Sequence, residues 1–153
     1  MEALSREAAT TVLARNRLGH LGCFSVSSDR SYVVPVSYIY SQGSLYAASI
    51  AGQKLRYLRE HPAGVCLEVE EVDDQLNWTS VIVTGRFEEV TGTERFSRAA
   101  DALYRAVRGP LWPALANTDI LQEPEQAVLW ALRVEEISGR REKWDLAEAY
   151  KYW

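Results

Sequence analysis

The sequence predicts a mainly β fold, with six antiparallel strands closed into a small barrel and helices flanking it. Three observations carry that expectation. The run VCLEVEEV alternates apolar and polar residues with period two, and several other short runs rich in β-branched and aromatic residues are bounded by Gly, Ser or Asp. The turn residues SQGS at 41–44 join two of these runs directly, which favours hairpins over crossovers. The strand–helix alternation of a doubly wound parallel sheet is missing between residues 64 and 90, and no GxGxxG or Walker sequence occurs.

At 153 residues the chain is expected to form one domain, 1–153, large enough to bury a core without metal or disulfide staples. Its apolar fraction of 47% and charged fraction of 25% suit a soluble globular protein, and no apolar run reaches membrane-spanning length. The N-terminal MEALSREAATTVLARN resembles neither a secretory signal nor a transit peptide, so a cytoplasmic location is expected. Seventeen Lys+Arg against twenty-one Asp+Glu give a formal charge of -4 without a long basic block, which argues against nucleic acid as a partner. Cys23 and Cys66 lack CxxC spacing and read as buried free thiols. With only His20 and His61 available, a histidine-built metal site is not expected.

Taken in order, Ser5 caps a first helix through about Arg15, with Leu4, Ala8 and Val12 on one face. The first strand is 18–26 (LGHLGCFSV), turning at Ser27-Ser28-Asp29 into the second, 32–40 (YVVPVSYIY). Pro35 has no amide to donate, so this strand is an edge or opens its ladder there, and either way backbone near Pro35 is free for a ligand. The third strand, 45–49, leads into a helix over 53–61 whose Leu55 and Leu58 face the core. The fourth, 64–72, puts Val65, Leu67 and Val69 on one face and Cys66, Glu68 and Glu70 on the other. Asp73, Asp74 and Gln75 turn the chain into the fifth, 78–90, where Gly85 marks a bulge. A helix from Thr93 to about Val107, an irregular segment at 111–126 and a last strand over 127–137, closed by Ser138-Gly139-Arg140, complete the pattern ahead of an aromatic, charged tail.

The chemistry concentrates in the stretch 32–62. Ser49, Gly52 and Lys54 stand at a strand-to-helix junction, which is what a bound phosphate needs: close backbone approach, unpaired first-turn amides and a cation. The plainer reading of Lys54 is a solvated helix lysine. Arg86 and Arg140 are either phosphate or interface cations or solvated strand residues. His20 reads as a packed or interface residue more readily than as an acid or base. Trp112, Trp144 and Trp153 either close over a planar ligand or pack the core or a partner chain.

The order of Gly19-His20-Leu21-Gly22, Val34-Pro35-Val36-Ser37-Tyr38, Leu45-Tyr46, Gly52-Gln53-Lys54, His61-Pro62 and Trp78-Thr79-Ser80 through Gly85-Arg86 resembles the FMN-binding split-barrel proteins. Within them it is most similar to the pyridoxamine 5'-phosphate oxidase-like branch related to the nitroimidazole-resistance reductases. The likeness covers about residues 4–90 and recurs at 134–140. It implies a split β-barrel homodimer with FMN at the interface: Ser49, Gly52 and Lys54 around the phosphate, and Val34, Pro35, Val36 and Ser37 along the ring. Trp78 and Ser80 match the family's Trp-x-Ser segment near the flavin, although Trp78 also reads as a barrel-rim core residue. It further implies an oxidoreductase passing electrons between a nicotinamide donor, NADPH or NADH, and a small planar substrate. The alternative is a protein that stores, senses or carries a flavin, deazaflavin or haem without turnover. This chain departs from the reductases in reading Leu45-Tyr46-Ala47-Ala48-Ser49 where many relatives place a histidine, so nitroimidazole reduction is not carried over. Nor does it show the oxidase's basic residues near the C-terminus. No catalytic residue is assigned, which flavin chemistry allows because the cofactor carries the electrons.

Overall fold

A computed structural model of the protein describes residues 1–74, 77–92, 94 and 126–143. Among these residues, ten elements follow in chain order: β1 (Glu2–Ala3), α1 (Arg6–Arg15), β2 (Leu18–Ser25), β3 (Arg30–Ser37), β4 (Ile39–Ser41), β5 (Ser44–Ile50), α2 (Gln53–Glu60), β6 (Val65–Val72), β7 (Trp78–Glu89) and β8 (Ala127–Glu142). The strands form one sheet of order β3-β2-β6-β7-β8-β5-β4, and β1 is added beside β8. Every pairing among them is antiparallel, as the sequence predicts. The expected helix at 93–107 apart from residue 94, the segment 111–125, the tail from 144 and the tryptophans at 112, 144 and 153 lie outside the described residues.

Among the described residues eight strands stand where six were expected, because Glu2–Ala3 adds one and the stretch 32–40 divides in two. The division falls at Tyr38, which is 2% exposed. Its amide donates to Arg17 O at 2.9 Å and its hydroxyl to Leu13 O at 2.9 Å, so the residue bonds to the α1–β2 connection in place of a ladder partner. The chain thereby passes from one end of the sheet order to the other, and β3 comes up against β5. That seam closes the sheet into a split barrel. Pro35 is accommodated because β3 is an edge strand.

The turn at 41–44 is a two-residue connection with Gln42 at φ 49 and Gly43 at φ 80, the left-handed pair that suits the twist of β4 and β5. Gly85 sits at the expected bulge, where the β7–β8 register shifts between Thr84 and Gly85. A Cβ at that position would lie 2.0 Å from Arg133 O. One boundary differs more substantially. Ser138-Gly139-Arg140 does not close the last strand; these residues pair with Ile82, Val81 and Ser80, and β8 continues to Glu142. Gly139 serves packing here, since a side chain would meet Leu4 Cδ1 at 2.8 Å and Ala9 Cβ at 3.2 Å.

Inward-facing Leu21, Leu67, Val69, Val81, Val83 and Leu132 fill the barrel. Helix α2 adds Leu55, Tyr57 and Leu58 to this core. Helix α1 buries Ala9, Val12 and Leu13, a stripe displaced from the expected Leu4–Ala8–Val12 line. Ser5 Oγ accepts from Ala8 N, confirming its place as the cap. At the other end of α1, Arg15 and Asn16 both donate to the Glu71 carboxylate on β6, which holds that carboxyl below the usual glutamate range.

Candidate functional site

Strand alternation divides the nine residues expected at the site. Val36 is buried in the core and Val34 packs partly buried against it, so neither side chain can flank a ligand on the outer face. Their contribution to a ligand is therefore through the backbone of β3. Pro35 is exposed on the opposite face, and half-buried Ser37 ends the strand. Ser49 also faces inward. It is 2% exposed and its Oγ accepts from Trp130 Nε1 at 3.0 Å, inside the barrel. Its hydroxyl ties β5 to Trp130 of β8.

Gly52 and Lys54 form a different kind of site. Gly52 is exposed, its φ of 179 is ordinary extended backbone, and a Cβ there would meet nothing nearer than Ile50 O at 3.9 Å. Open space outside Gly52 is where a ligand would approach. No side chain caps α2, and its first turn carries no acid, so the amides after Gly52 remain available. Lys54 is half-buried, and among the described residues its ammonium has no hydrogen bond or ion pair. Burial lowers its pKa from the ordinary lysine value, while the Cys23 side chain acts in the opposite direction. Cys23 is itself buried and its thiol pushed up by burial; Cys66, expected to be buried too, is only half-buried, and both are free.

On the outer face of the barrel a polar line crosses four strands. Pro35 of β3 stands opposite His20 of β2, and His20 opposite Glu68 of β6. The Glu68 carboxylate lies 3.5 Å from His20 Nδ1 through one oxygen and accepts from Ser80 Oγ of β7 at 2.7 Å through the other. Trp78, two residues before Ser80 on the same face, is half-buried and lines a surface groove with Val72, Asn77, Arg141 and Lys143. On β2, His20 faces outward and Cys23 inward, three residues, about 10 Å, apart along the strand. Glu68 carried no functional weight in the sequence. Its alternation with Leu67 and Val69 marked only a face, and the pairing of β2 with β6 joins segments more than forty residues apart, beyond the reach of local pattern.

With that geometry, comparison with known proteins is informative. Residues 5–141 match the family model described as pyridoxamine 5'-phosphate oxidase, and the chain belongs to that family. An uncharacterised protein of Rhizobium meliloti (strain 1021) is 36% identical over 94 residues, a match covering 61% of this chain and 60% of that protein's length. Among solved structures, an FAD-binding protein from Mesorhizobium loti superposes with a TM-score of 0.76 at 28% identity, covering 93% of this chain and 98% of that one. A protein described as a 5-nitroimidazole antibiotic resistance protein from Bacteroides thetaiotaomicron gives a TM-score of 0.72 at 17% identity, over 93% and 90% of the two chains, and shares the fold.

Proposed function

We propose that the protein binds a flavin nucleotide, FMN in the first instance, and uses it as an oxidoreductase acting on a small planar substrate with electrons from a nicotinamide donor. The observation that carries this reading is Lys54: a half-buried cation without an anion among the described residues, beside an uncapped helix N-terminus. A phosphate would supply the missing charge and accept the free amides at the same point. FMN and FAD both offer one there. Two of the solved relatives, from Mesorhizobium loti and Mycobacterium smegmatis, are named FAD-binding, so FAD belongs in the test as well.

When bound, the flavin supplies hydride and single-electron transfer. The chain's own residues hold it. Lys54 and the α2 amides take the phosphate, while Val34 and Val36 pin β3 to the core so that the Pro35 edge keeps a fixed backbone path for the ring. Ser80 and Trp78 stand further across the same face. Leu18, Phe24, Val33 and Ile82 are exposed apolar side chains of that face too, at 49%, 36%, 68% and 45%. Such a surface supports a homodimer in which a second copy covers the ligand.

Titration of the purified protein with FMN and FAD tests the reading, followed by anaerobic mixing with NADPH or NADH. Lys54→Met should weaken flavin binding by about 1.5–3 kcal/mol, roughly 10- to 150-fold. A wild-type protein that binds neither flavin would overturn the proposal. Bound flavin that no donor bleaches would instead assign a carrier or storage role.

A further inference from the structure

We infer that the groove where β6 and β8 end and β7 begins is a second small-molecule site. It takes a planar ring carrying one carboxylate or phosphate, with Arg141 and Lys143 as the anion-binding pair and Trp78 as part of an apolar wall. This site is distinct from the Lys54 junction and does not depend on the flavin reading. Cys66 of β6 stands opposite Gly22, next to the Cys23 on which Lys54 acts, and Val72 is six residues, about 20 Å, further along the strand.

The groove has a volume of about 540 Å³, within the roughly 300–1,000 Å³ of ligand clefts. Val72 stands opposite Trp78 and Trp78 opposite Glu142, so one register row crosses the three strands there. Val72 is 57% exposed and Trp78 half-buried, which leaves apolar surface for a ring to lie against. The acids of the lining are engaged within the chain. Glu71 accepts from Arg15 and Asn16, Asp73 accepts from Asn77 N and Nδ2 across the turn, and Glu142 lies 3.7 Å from the N-terminal ammonium.

A side chain of the chain itself marks the place of the anion. Glu2 of β1 accepts from Arg141 through both oxygens, from Nε and Nη2 at 2.9 Å each, which is the fork geometry that a free carboxylate or phosphate uses. The Arg141 bond and, more weakly, the field of Lys143 hold the Glu2 carboxyl below the usual glutamate range, so both cations act on one position. Lys143 makes no hydrogen bond or ion pair of its own among the described residues. The Glu2 side chain is 65% exposed, and an exposed ion pair is weak enough for an outside anion to displace. Strand β1 need not leave with it, because Leu4 N donates to Gly139 O at 2.9 Å and Ala3 pairs with Arg140. Glu2 is therefore the site's built-in competitor.

Binding of small probes to the full chain tests the inference. Nicotinate supplies a ring with a carboxylate, nicotinamide the same ring without charge, and adenosine 2'-phosphate a ring with a phosphate. Dissociation constants are read at fixed low salt from the Trp78 indole N–H resonance of isotopically labelled protein, the signal that Trp78→Phe removes. Nicotinate should bind at least about tenfold more tightly than nicotinamide, the difference that a charge-assisted fork makes. Glu2→Gln, which frees Arg141, should tighten nicotinate about 1.5- to 5-fold, the range for an exposed ion pair. Arg141→Gln should weaken it at least about tenfold. Lys143→Gln, at an exposed position past the end of β8, should weaken it too without endangering the fold. In Glu2→Gln, the tighter of nicotinate and adenosine 2'-phosphate tells whether the ligand is a carboxylic acid or a nucleotide phosphate, and either result supports the site. Nicotinate binding to Glu2→Gln no more tightly than to wild type, or no more tightly than nicotinamide, overturns it. So does an indole resonance that neither anion shifts in wild type or in Glu2→Gln.

Discussion

A half-buried ammonium lacking an anion destabilises the protein that carries it, and Lys54, which has none among the described residues, does so in the ligand-free state. Its folded pKa is depressed, so the unfolded chain holds the proton more tightly than the folded one. Free protein should therefore gain stability as pH rises toward the ordinary lysine value near 10.4, and Lys54→Met should flatten that rise in paired thermal melts. The same variant is expected to lose flavin affinity, so stability and binding should move in opposite directions. Ser49→Ala makes the contrast. It leaves Trp130 Nε1 buried without a partner and should lower stability by about 1–3 kcal/mol in denaturant titration, with flavin affinity nearly unchanged. At this scale the sequence located the junction but not the direction of each side chain. Ser49, Gly52 and Lys54 look equivalent as polar punctuation, and only the period-two placement of Ser49 beside Leu45 and Ala47 turns its hydroxyl inward.

Elements were the most legible level, because each strand writes its own alternation. Val65, Leu67 and Val69 face the core as their spacing implies, and Gly85 marks a true bulge. Gly85→Ala would drive a methyl onto the Arg133 carbonyl, and we expect a loss of about 2–4 kcal/mol by chemical denaturation. Two readings failed for a shared reason. Tyr38 and Gly139 take their roles from distant partners, the α1–β2 connection and the α1 face, so one interrupts an unbroken β pattern and the other continues a strand through an apparent turn. Helix α1 is also tied to β6 through Arg15 and Glu71. Because the Glu71 pKa is depressed in the folded protein, this tie stabilises at neutral pH and is lost as pH falls from the ordinary glutamate value, about 4.3, through the folded one. An Arg15→Met variant should show a shallower acid limb in melts taken across that window.

Across the whole molecule, fold class followed from the number and hairpin spacing of the strands, whereas their order did not. Nothing local announces that β2 lies against β6, or that β8 separates β7 from β5. For the same reason the Glu68 bridge was invisible until those neighbours were known. The outer face also sets the expected assembly. If a second copy covers Leu18, Phe24, Val33 and Ile82, dilution followed by sedimentation should release dimer and flavin together, and a monomer that keeps stoichiometric flavin would contradict the arrangement.

The position of β8 has a consequence for how the chain reaches this state. Before residues 127–142 leave the ribosome, the facing edges of β5 and β7 have nothing to pair with, and the seam at Tyr38 has no complete sheet to close. Assembly therefore waits for contacts spanning most of the chain, a high-contact-order route that is slow and leaves edges open to other chains meanwhile. Those edges are a demand on co-translational protection, placed on the cell by the order in which the strands are made.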